Sequence, residues 1–158
     1  MVEVLLVVAV LAIAAAMALP MMGDTNATRL RAAARMLVAD LQVVQSESMA
    51  HADDPRVLVI DSGNKKYHVA TEADVLTPIA NPIGGGDYIT VFGKSRAAML
   101  DGVSFSSYSF DGDNKLGFGM HGQLDQTVSA TIQLGAGGKS LTIAVDPVTG
   151  EASIGNIE

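Results

Sequence analysis

The chain has 158 residues, enough for one modest domain with an appendage. Its 17 acidic residues outnumber its 10 lysines and arginines, and the net charge of −7 disfavours binding to polyanions such as nucleic acids. The chain contains no cysteine, which excludes disulfide frameworks and thiolate metal sites.

The chain opens with an apolar segment that is long enough to cross a lipid bilayer. After Glu3, the twenty residues 4–23 carry no charge. A helix that is hydrophobic on every side belongs in lipid or in a large core, and twenty residues at about 1.5 Å each match about 30 Å of bilayer hydrocarbon. A domain of this size offers no core for such a rod, so we predict a transmembrane segment at 1–23. Its anchoring side chains are Val4, Leu5, Leu6, Val7, Val8, Leu11, Ile13 and Leu19.

Two other interpretations of this segment explain less of the sequence. A cleaved signal peptide has a basic start and a shorter apolar run, whereas this chain starts with Met-Val-Glu and its apolar run is longer. A plain signal anchor gives no reason for Glu3, because an unpaired carboxylate at the edge of lipid costs free energy. Glu3 is therefore a candidate functional residue.

A second, amphipathic helix follows the apolar segment. Pro20 removes a backbone hydrogen bond and predicts a kink, which lipid-embedded helices tolerate better than soluble ones. Asp24 and Thr25 are suited to cap a helix that we expect over about 25–52. Most of its charged and amide side chains lie off one stripe, so the helix has a single face to bury. The stripe consists of residues spaced by four and three: Leu30, Ala34, Leu37, Leu41, Val44 and Ser48.

From Arg56 onwards the sequence alternates in the manner of β-strands. Eight runs predict short strands, at 56–61, 65–71, 88–92, 103–110, 116–120, 128–134, 141–145 and 152–154. Between the second and third of these runs, the stretch 77–87 contains two prolines and three glycines and predicts a long loop. We therefore expect residues 24–158 to form one domain of α+β class. In it the amphipathic helix packs on antiparallel β-sheets built from a β-rich region of about 56–158.

Three stretches of the sequence resemble one family of filament proteins. MVEVLLVVAVLAIAAAMALP resembles the N-terminus of type IV pilins and type II secretion pseudopilins, where Glu3 matches the family's glutamate and Pro20 its proline, seventeen residues later. RAAARMLVADLQVVQSESMAHADDPRVLVI resembles the helix-to-first-strand segment of the GspH/FimT subgroup. LGFGMHGQL and SLTIAVDPVTGEASIG resemble that subgroup's C-terminal motifs, an aromatic-x-x-x-Gly turn and a final hairpin ending in Thr-Gly.

The resemblance implies a structural function and a set of partners. It implies a minor pseudopilin, a single-pass protein of the bacterial inner membrane with a periplasmic C-terminal domain, which is drawn from membrane lipid into a type II secretion pseudopilus. Its partners would be other pseudopilins or pilins and the inner-membrane assembly platform. In the filament, the Glu3 carboxylate would lie beside the N-terminal amine of a neighbouring subunit. Because burying either charge alone costs several kcal/mol, the pair would favour subunits in register.

The resemblance also implies that a leader precedes the sequence. Met1 stands where the family has leucine, and the family's basic leader and Gly-Phe cleavage site would lie upstream of it. We therefore expect an upstream start and processing by prepilin peptidase. The nearest positive charges, Arg29, Arg31 and Arg35, follow the apolar segment, and the positive-inside rule alone would favour the opposite orientation. We give the resemblance more weight, because the rule is applied here to an incomplete N-terminal region.

Motifs for catalysis or ligand binding are present only in incomplete form. The stretches 93–95 and 138–140 carry the Gly-Lys-Ser end of a phosphate-binding loop, but Tyr88 and Gln133 stand where its first glycine is required. Both stretches lie in contexts that predict hairpins. The stretch 110–115 resembles the start of a calcium loop but lacks its glycine and distal glutamate, so a turn is favoured and weak calcium binding is the lesser alternative.

The histidines and serines also lack catalytic or metal-binding patterns. His51, His68 and His121 fall on a helix end, a strand and a turn, and no two of them have the spacing of metal ligands. The sequence has no Gly-x-Ser-x-Gly elbow. We therefore expect a protein that is not an enzyme and that has no catalytic residues, metal or cofactor.

The alternative function is that of a FimT-like type IV minor pilin, for pilus assembly or DNA uptake. Capture of DNA requires a cationic surface, usually towards the C-terminus of such a domain. Residues 101–158 carry seven acidic residues and two lysines, a net charge of −5. A surface of this charge offers few cations to neutralise phosphates, so we expect no binding of nucleic acid.

Overall fold

The computed structural model describes residues 2–18, 24–82 and 84–158. Its first helix, α1, covers Val2–Ala18. Within the described ranges, no helix is both long and apolar enough to cross a membrane. Leu19 and Pro20 lie outside the described residues, and with them the predicted kink and the end of the predicted segment 1–23.

The second helix, α2, covers Thr25–Ala50, which confirms the predicted amphipathic helix to within two residues at its end. Asp24 is its N-cap, as predicted. The Asp24 carboxylate accepts hydrogen bonds from the backbone N–H groups of Asn26 and Ala27, at 3.0 and 3.2 Å. These bonds satisfy donors that the first turn of a helix cannot pair internally, and they fix where α2 begins.

A short turn joins the end of α2 to the first strand. Pro55 cannot continue a helix, and it disfavours helical geometry in the residue before it. The hydroxyl of Ser48 donates to the backbone carbonyl of Arg56 at 2.8 Å and accepts from the backbone N–H of Arg56 at 3.0 Å. This reciprocal pair explains why a serine closes the otherwise apolar stripe.

The predicted stripe of α2 is the face that the helix buries. Its six residues are at most 1% exposed: Leu30, Ala34, Leu37, Leu41, Val44 and Ser48. Ala33 is buried with them, and so is a carboxylate, Asp40, which is 4% exposed. The helical spacing of apolar residues predicts no role for Asp40.

All eight predicted strands are present, with ends that differ by a few residues. They are β1 (Arg56–Asp61), β2 (Lys66–Thr71), β3 (Ile89–Val91), β4 (Ser104–Ser109), β5 (Lys115–Gly117), β6 (Ala130–Ala136), β7 (Lys139–Val145) and β8 (Ala152–Ile157). They form two four-stranded sheets with the orders β3-β2-β1-β5 and β4-β6-β7-β8. Neighbouring strands are antiparallel throughout both sheets.

The core lies between α2 and the two sheets. The helix packs against β1 and β5 of the first sheet and against β6, β7 and β8 of the second. Aromatic side chains such as Tyr67, Phe110 and Phe118 fill the space and are at most 2% exposed. The predicted α+β architecture, a helix over antiparallel sheets, is thus confirmed.

The stretch after β3 is not the hairpin that the sequence predicted. Residues 92–95 lead from β3 into a 3₁₀ helix, Ser95–Leu100. The reason is burial: Ala97 and Leu100 are 1% and 4% exposed, so the chain turns inward to seat them in the core. The second Gly-Lys-Ser stretch, 138–140, does lie in the predicted hairpin, where it covers the end of the turn and the first two residues of β7.

The predicted long loop, 77–87, is held against β2 by backbone hydrogen bonds. The N–H of Ile79 donates to the carbonyl of Val69, and the N–H of Tyr88 donates to the carbonyl of Ile79, both at 2.8 Å. Ile83 lies outside the described residues. The two bonds place Tyr88, at the end of the loop, over the buried face of α2.

One side chain of α2 joins the two C-terminal turns that carry the subgroup resemblance. The Gln45 amide donates to the carbonyl of Gly122 at 2.7 Å and to the carbonyl of Thr149 at 3.0 Å. Gly150 lies against this junction with a φ of +68°, and a Cβ there would meet the Gly122 carbonyl, the Gln45 amide and the Phe118 ring. The aromatic-x-x-x-Gly turn and the Thr-Gly turn therefore touch through atoms that leave no room for a side chain.

We predict that Gly150→Ala destabilises the domain more than Gly138→Ala does. Both glycines have positive φ, but a Cβ at Gly138 would meet nothing within 4 Å. Gly138→Ala should therefore cost about 1 kcal/mol of backbone strain, and Gly150→Ala the same strain plus displacement of Gln45, about 2–4 kcal/mol in all. Denaturant unfolding of the chain in mild detergent, followed by circular dichroism, measures both. Equal losses would contradict the packed junction at Gly150.

Candidate functional site

Over residues 2–12, the surface of α1 is apolar on every side apart from Glu3 and is exposed to solvent. Successive residues of a helix are about 100° apart, so the five consecutive residues 4–8 surround its axis. The predicted anchoring side chains described on this surface are between 51% and 69% exposed: Val4, Leu5, Leu6, Val7, Val8 and Leu11. Ile13 also lies within α1. Exposed apolar surface of this extent marks a site of contact with lipid or with another protein.

Glu3 is the one charged residue of α1 and lies in its first turn. Its side chain is exposed, and no described residue forms an ion pair or a side-chain hydrogen bond with it. A carboxylate in the first turn interacts favourably with the helix dipole. Among the described residues, the helix dipole is thus the interaction that the structure offers Glu3.

A second group of functional interest, the Asp40 cluster, lies under the domain surface. It consists of Asp40 on α2, Tyr67 on β2, Tyr88 and Thr90 around β3, and Arg96 in the 3₁₀ helix. The hydroxyls of Tyr67 and Tyr88 donate to the Asp40 carboxylate at 2.6 and 3.0 Å.

The Arg96 guanidinium completes the cluster. Its Nη1 donates to Asp40 Oδ1 at 3.2 Å, and its Nη2 pairs with Asp40 Oδ2. Its Nε donates to the Thr90 hydroxyl at 2.9 Å, and the guanidinium lies 5.1 Å from the centre of the Tyr88 ring. The two-pronged contact with a carboxylate and the stacking on an aromatic ring are contacts that arginine makes and lysine does not.

The cluster fixes the protonation states of its tyrosines. Burial, followed by the negative charge of Asp40, raises the pKa of Tyr67 well above its ordinary value. The same two causes, in the same order, raise the pKa of Tyr88 to about 12. Both hydroxyls thus keep their protons and remain donors to Asp40, which ties β2 and the end of the loop 77–87 to α2. Arg96 ties the 3₁₀ helix to α2 through the same carboxylate.

The sequence contained a signal for this cluster that periodicity alone does not reveal. Asp40 lies three residues after Leu37 and directly before Leu41, so it falls at the margin of the buried stripe. A buried carboxylate requires donors, and a stripe that includes one predicts tyrosine or arginine partners elsewhere in the fold. Which tyrosines and which arginine could not be read from spacing, because they lie 27, 48 and 56 residues further along the chain.

The other residues considered for chemistry are separated in the fold. His51 and His121 are exposed, and His68, which is partly buried, contacts the backbone carbonyl of Val75 at 2.9 Å through its ring. The start of the calcium-like stretch forms a turn in which Asp113 accepts from the backbone N–H of Lys115 at 2.9 Å. In the part of the chain that the structure describes, no three histidine or carboxylate side chains are grouped as metal ligands.

We predict that raising the pH above the ordinary tyrosine pKa of about 10 destabilises the domain through the cluster. Both tyrosines have folded-state pKa values above the unfolded value, so the stability they contribute is complete below pH 10 and is lost as the pH rises towards 12. The free energy of unfolding should fall across this window in the unaltered protein and fall less steeply in the Tyr67→Phe/Tyr88→Phe variant.

Denaturant unfolding at a series of pH values measures the slopes. Tyr108→Phe removes a tyrosine outside the cluster and serves as the control; an equal flattening by Tyr108→Phe would refute the assignment.

Comparison with solved structures identifies the fold as that of minor pilins and minor pseudopilins. Two crystal structures of the type IV minor pilin FimU from Pseudomonas aeruginosa align with TM-scores of 0.55 and 0.58. Both are 17% identical in sequence, and the alignments cover 80% and 82% of this chain and 93% and 90% of FimU. The minor pseudopilin EpsH of the type 2 secretion system of Vibrio cholerae aligns with a TM-score of 0.57 at 10% identity, over 80% of this chain and 95% of EpsH. No family model matches the chain, and no curated protein sequence is significantly similar to it. The pilin-like fold that the sequence resemblance implied is therefore confirmed.

Proposed function

We propose that the chain is a minor pseudopilin, a structural subunit of a type II secretion pseudopilus that takes part in protein secretion. Before assembly, residues 4–23 anchor it in the lipid of the bacterial inner membrane, with residues 24–158 in the periplasm. During assembly, the same apolar segment moves into the core of the filament, where it packs against other pseudopilins. The proposal is of a structural role, and no enzymatic step is part of it.

The observation that carries this proposal is the contrast between α1 and the domain that follows it. The domain buries the apolar stripe of α2 completely, whereas the apolar side chains of α1 at residues 4–8 and at Leu11 are exposed on all sides of the helix. A helix of this kind requires surroundings that are apolar on every side. Lipid and a bundle of like helices both provide them, which suits a subunit that passes from one to the other.

In this proposal, Glu3 sets the register of the subunit against its neighbours in the filament. In a single inserted subunit the carboxylate lies at the bilayer edge, within reach of water. In a helix bundle it would be buried, and the N-terminal amine of a neighbouring subunit would be its partner. A neighbour shifted along the bundle would leave both charges buried and unpaired, so the pair discriminates against wrong registers.

A type IV pilus is the second candidate for the host filament. The fold resembles the minor pilin FimU as closely as the pseudopilin EpsH, with TM-scores of 0.55–0.58 and 0.57. In either filament the partners would be other pilin-like subunits and the inner-membrane assembly platform, and prepilin peptidase would process the precursor. Crosslinking to the subunits of one filament or the other, in cells that make both, separates the two hosts.

We predict that Glu3→Ala leaves membrane insertion and domain folding intact but blocks incorporation into the filament. Removing the carboxylate costs little at the bilayer edge, whereas in the bundle it leaves an amine buried without a partner, a loss of about 3–5 kcal/mol. Glu3→Gln should be nearly as harmful, because it keeps the size of the side chain but not its charge. The measurement is the yield of crosslinks to partner pilins, divided by the amount of subunit in the membrane. Each variant is expressed with a leader peptide that prepilin peptidase can remove.

Glu72→Gln is the matched control, since it removes an exposed carboxylate from the domain rather than from α1. It should assemble as the unaltered subunit does. Normal assembly of both Glu3 variants would refute the register role and would leave Glu3 without a function.

We predict that the protein does not bind DNA at moderate ionic strength, which tests the DNA-uptake alternative. Binding to DNA gains free energy from counterions released when lysine and arginine neutralise phosphates, and residues 101–158 carry a net charge of −5. A gel-shift titration of the detergent-solubilised chain with duplex DNA measures this. A dissociation constant in the micromolar range or below that rises with salt would overturn the prediction and favour the DNA-uptake pilin.

A further inference from the structure

Three arginines on the first turns of α2 have no role in the domain. Arg31 and Arg35 are exposed and Arg29 is partly exposed. Among the described residues, none of the three forms an ion pair or a side-chain hydrogen bond, although the chain carries 17 acidic residues. The acids nearest to them in sequence, Asp24 and Asp40, are already paired with Lys139 and Arg96. This end of α2 is thus positively charged on a protein whose net charge is −7.

An exposed apolar groove lies beside Arg29. It has a volume of about 440 Å³ and is lined by Thr25, Thr28, Arg29, Ala32, Met99 and Leu100. The 3₁₀ helix seats Leu100 in the core and directs Met99 outwards, where it is 87% exposed. A methionine this exposed gains nothing from the domain itself. We call the three arginines with Met99 the basal surface.

The placement of the arginines suits a plane of headgroups better than a single protein strip. At about 100° per residue, Arg29 lies on one flank of the buried stripe and Arg31 and Arg35 on the other, so the charges form a belt around the exposed half of the helix. Arg29 and Arg31 lie about 6 and 9 Å from the start of α2, and the headgroup layer on each side of a bilayer is about 5–8 Å thick. Helical side chains also tilt towards the helix N-terminus, which here is the end next to the apolar segment.

We propose that the basal surface docks on anionic phospholipid headgroups, which holds the domain down on the membrane before assembly; this rests on the proposed insertion of residues 4–23. The guanidinium groups bind lipid phosphates through paired N–H donors, and Met99 enters the interface between headgroups and acyl chains. Lipid is favoured over an acidic neighbouring subunit because only five residues, 19–23, separate α1 from the start of the described domain. Before assembly, the chain therefore keeps the arginines near the bilayer, whether or not another subunit is present.

The absence of cysteine allows a direct test with the full chain in lipid vesicles. Met99→Cys introduces a single thiol for a fluorophore, and headgroup-labelled quencher lipids report whether the thiol is at the membrane. Quenching should be strong in vesicles of phosphatidylcholine mixed with phosphatidylglycerol, weak in phosphatidylcholine alone, and reduced by salt. Each neutralised arginine should lower the ratio of docked to undocked domains about fivefold, so Arg29→Gln/Arg31→Gln should lower it about 25-fold.

Two matched controls accompany the test. Val148 is 78% exposed and lies in the turn that Gln45 contacts, near the other end of α2. A fluorophore on Val148→Cys should therefore not be quenched in either kind of vesicle. Lys65→Gln/Lys115→Gln removes the same charge from other parts of the domain and should leave the quenching at position 99 unchanged.

The outcomes separate this inference from the proposed function. Resistance to alkaline extraction reports whether the chain is inserted, and a chain that is washed off both kinds of vesicle would refute the insertion and the docking together. An inserted chain with equal quenching at position 99 in both kinds of vesicle would refute the docking alone. Quenching that rises with the ratio of protein to lipid but does not depend on phosphatidylglycerol would refute the docking on lipid and would assign the basal surface to contact with a neighbouring subunit.

Discussion

Burial of one stripe of α2 is the interaction on which the rest of the structure depends. Both sheets contact this helix, and polar side chains along it set the position of each neighbouring element. Asp24 fixes where the helix begins, Asp40 holds the loop and the 3₁₀ helix, and Gln45 joins the C-terminal turns. Ser48 then fixes the first strand through Arg56. Hydrophobic burial supplies the free energy, while these directional bonds select one arrangement of the strands among those that would bury the same stripe.

The Asp40 cluster shows how specificity and stability differ. A buried carboxylate and its arginine gain little net free energy over apolar residues of the same size, because Asp40 loses its hydration and Arg96 loses part of its own. The carboxylate nevertheless requires its donors, and a fold in which Tyr67, Tyr88 or Arg96 were misplaced would leave it unpaired. The cluster therefore acts as a check on the placement of three segments that are distant in sequence.

The elements that could be predicted from the sequence are those with local causes. The α2 stripe follows from helical spacing, the cap from Asp24, and the strands from alternation bounded by glycine, asparagine and proline. The predicted fold came from these elements together with the family resemblance. The pairing of strands into two sheets and the partners of Asp40 were not predicted, because they depend on contacts between distant segments. The 3₁₀ helix was missed for a related reason. Ala97 and Leu100 are too few to form a periodic apolar pattern, and only the shape of the core decides that they turn inward.

The composition of the apolar segment gives a physical reason for the role proposed for Glu3. Lipid tails are as apolar as leucine, so moving a helix from lipid into a bundle gains no hydrophobic free energy. Association must come from close packing, which small residues allow, and α1 from residue 9 onwards is rich in alanine: Ala9, Ala12, Ala14, Ala15, Ala16 and Ala18. Close packing of alanine-rich helices has little preference among registers, since one small residue replaces another as the helices slide. In the proposed filament, a single charged pair at the start of the helix then supplies the preference that the apolar surface lacks.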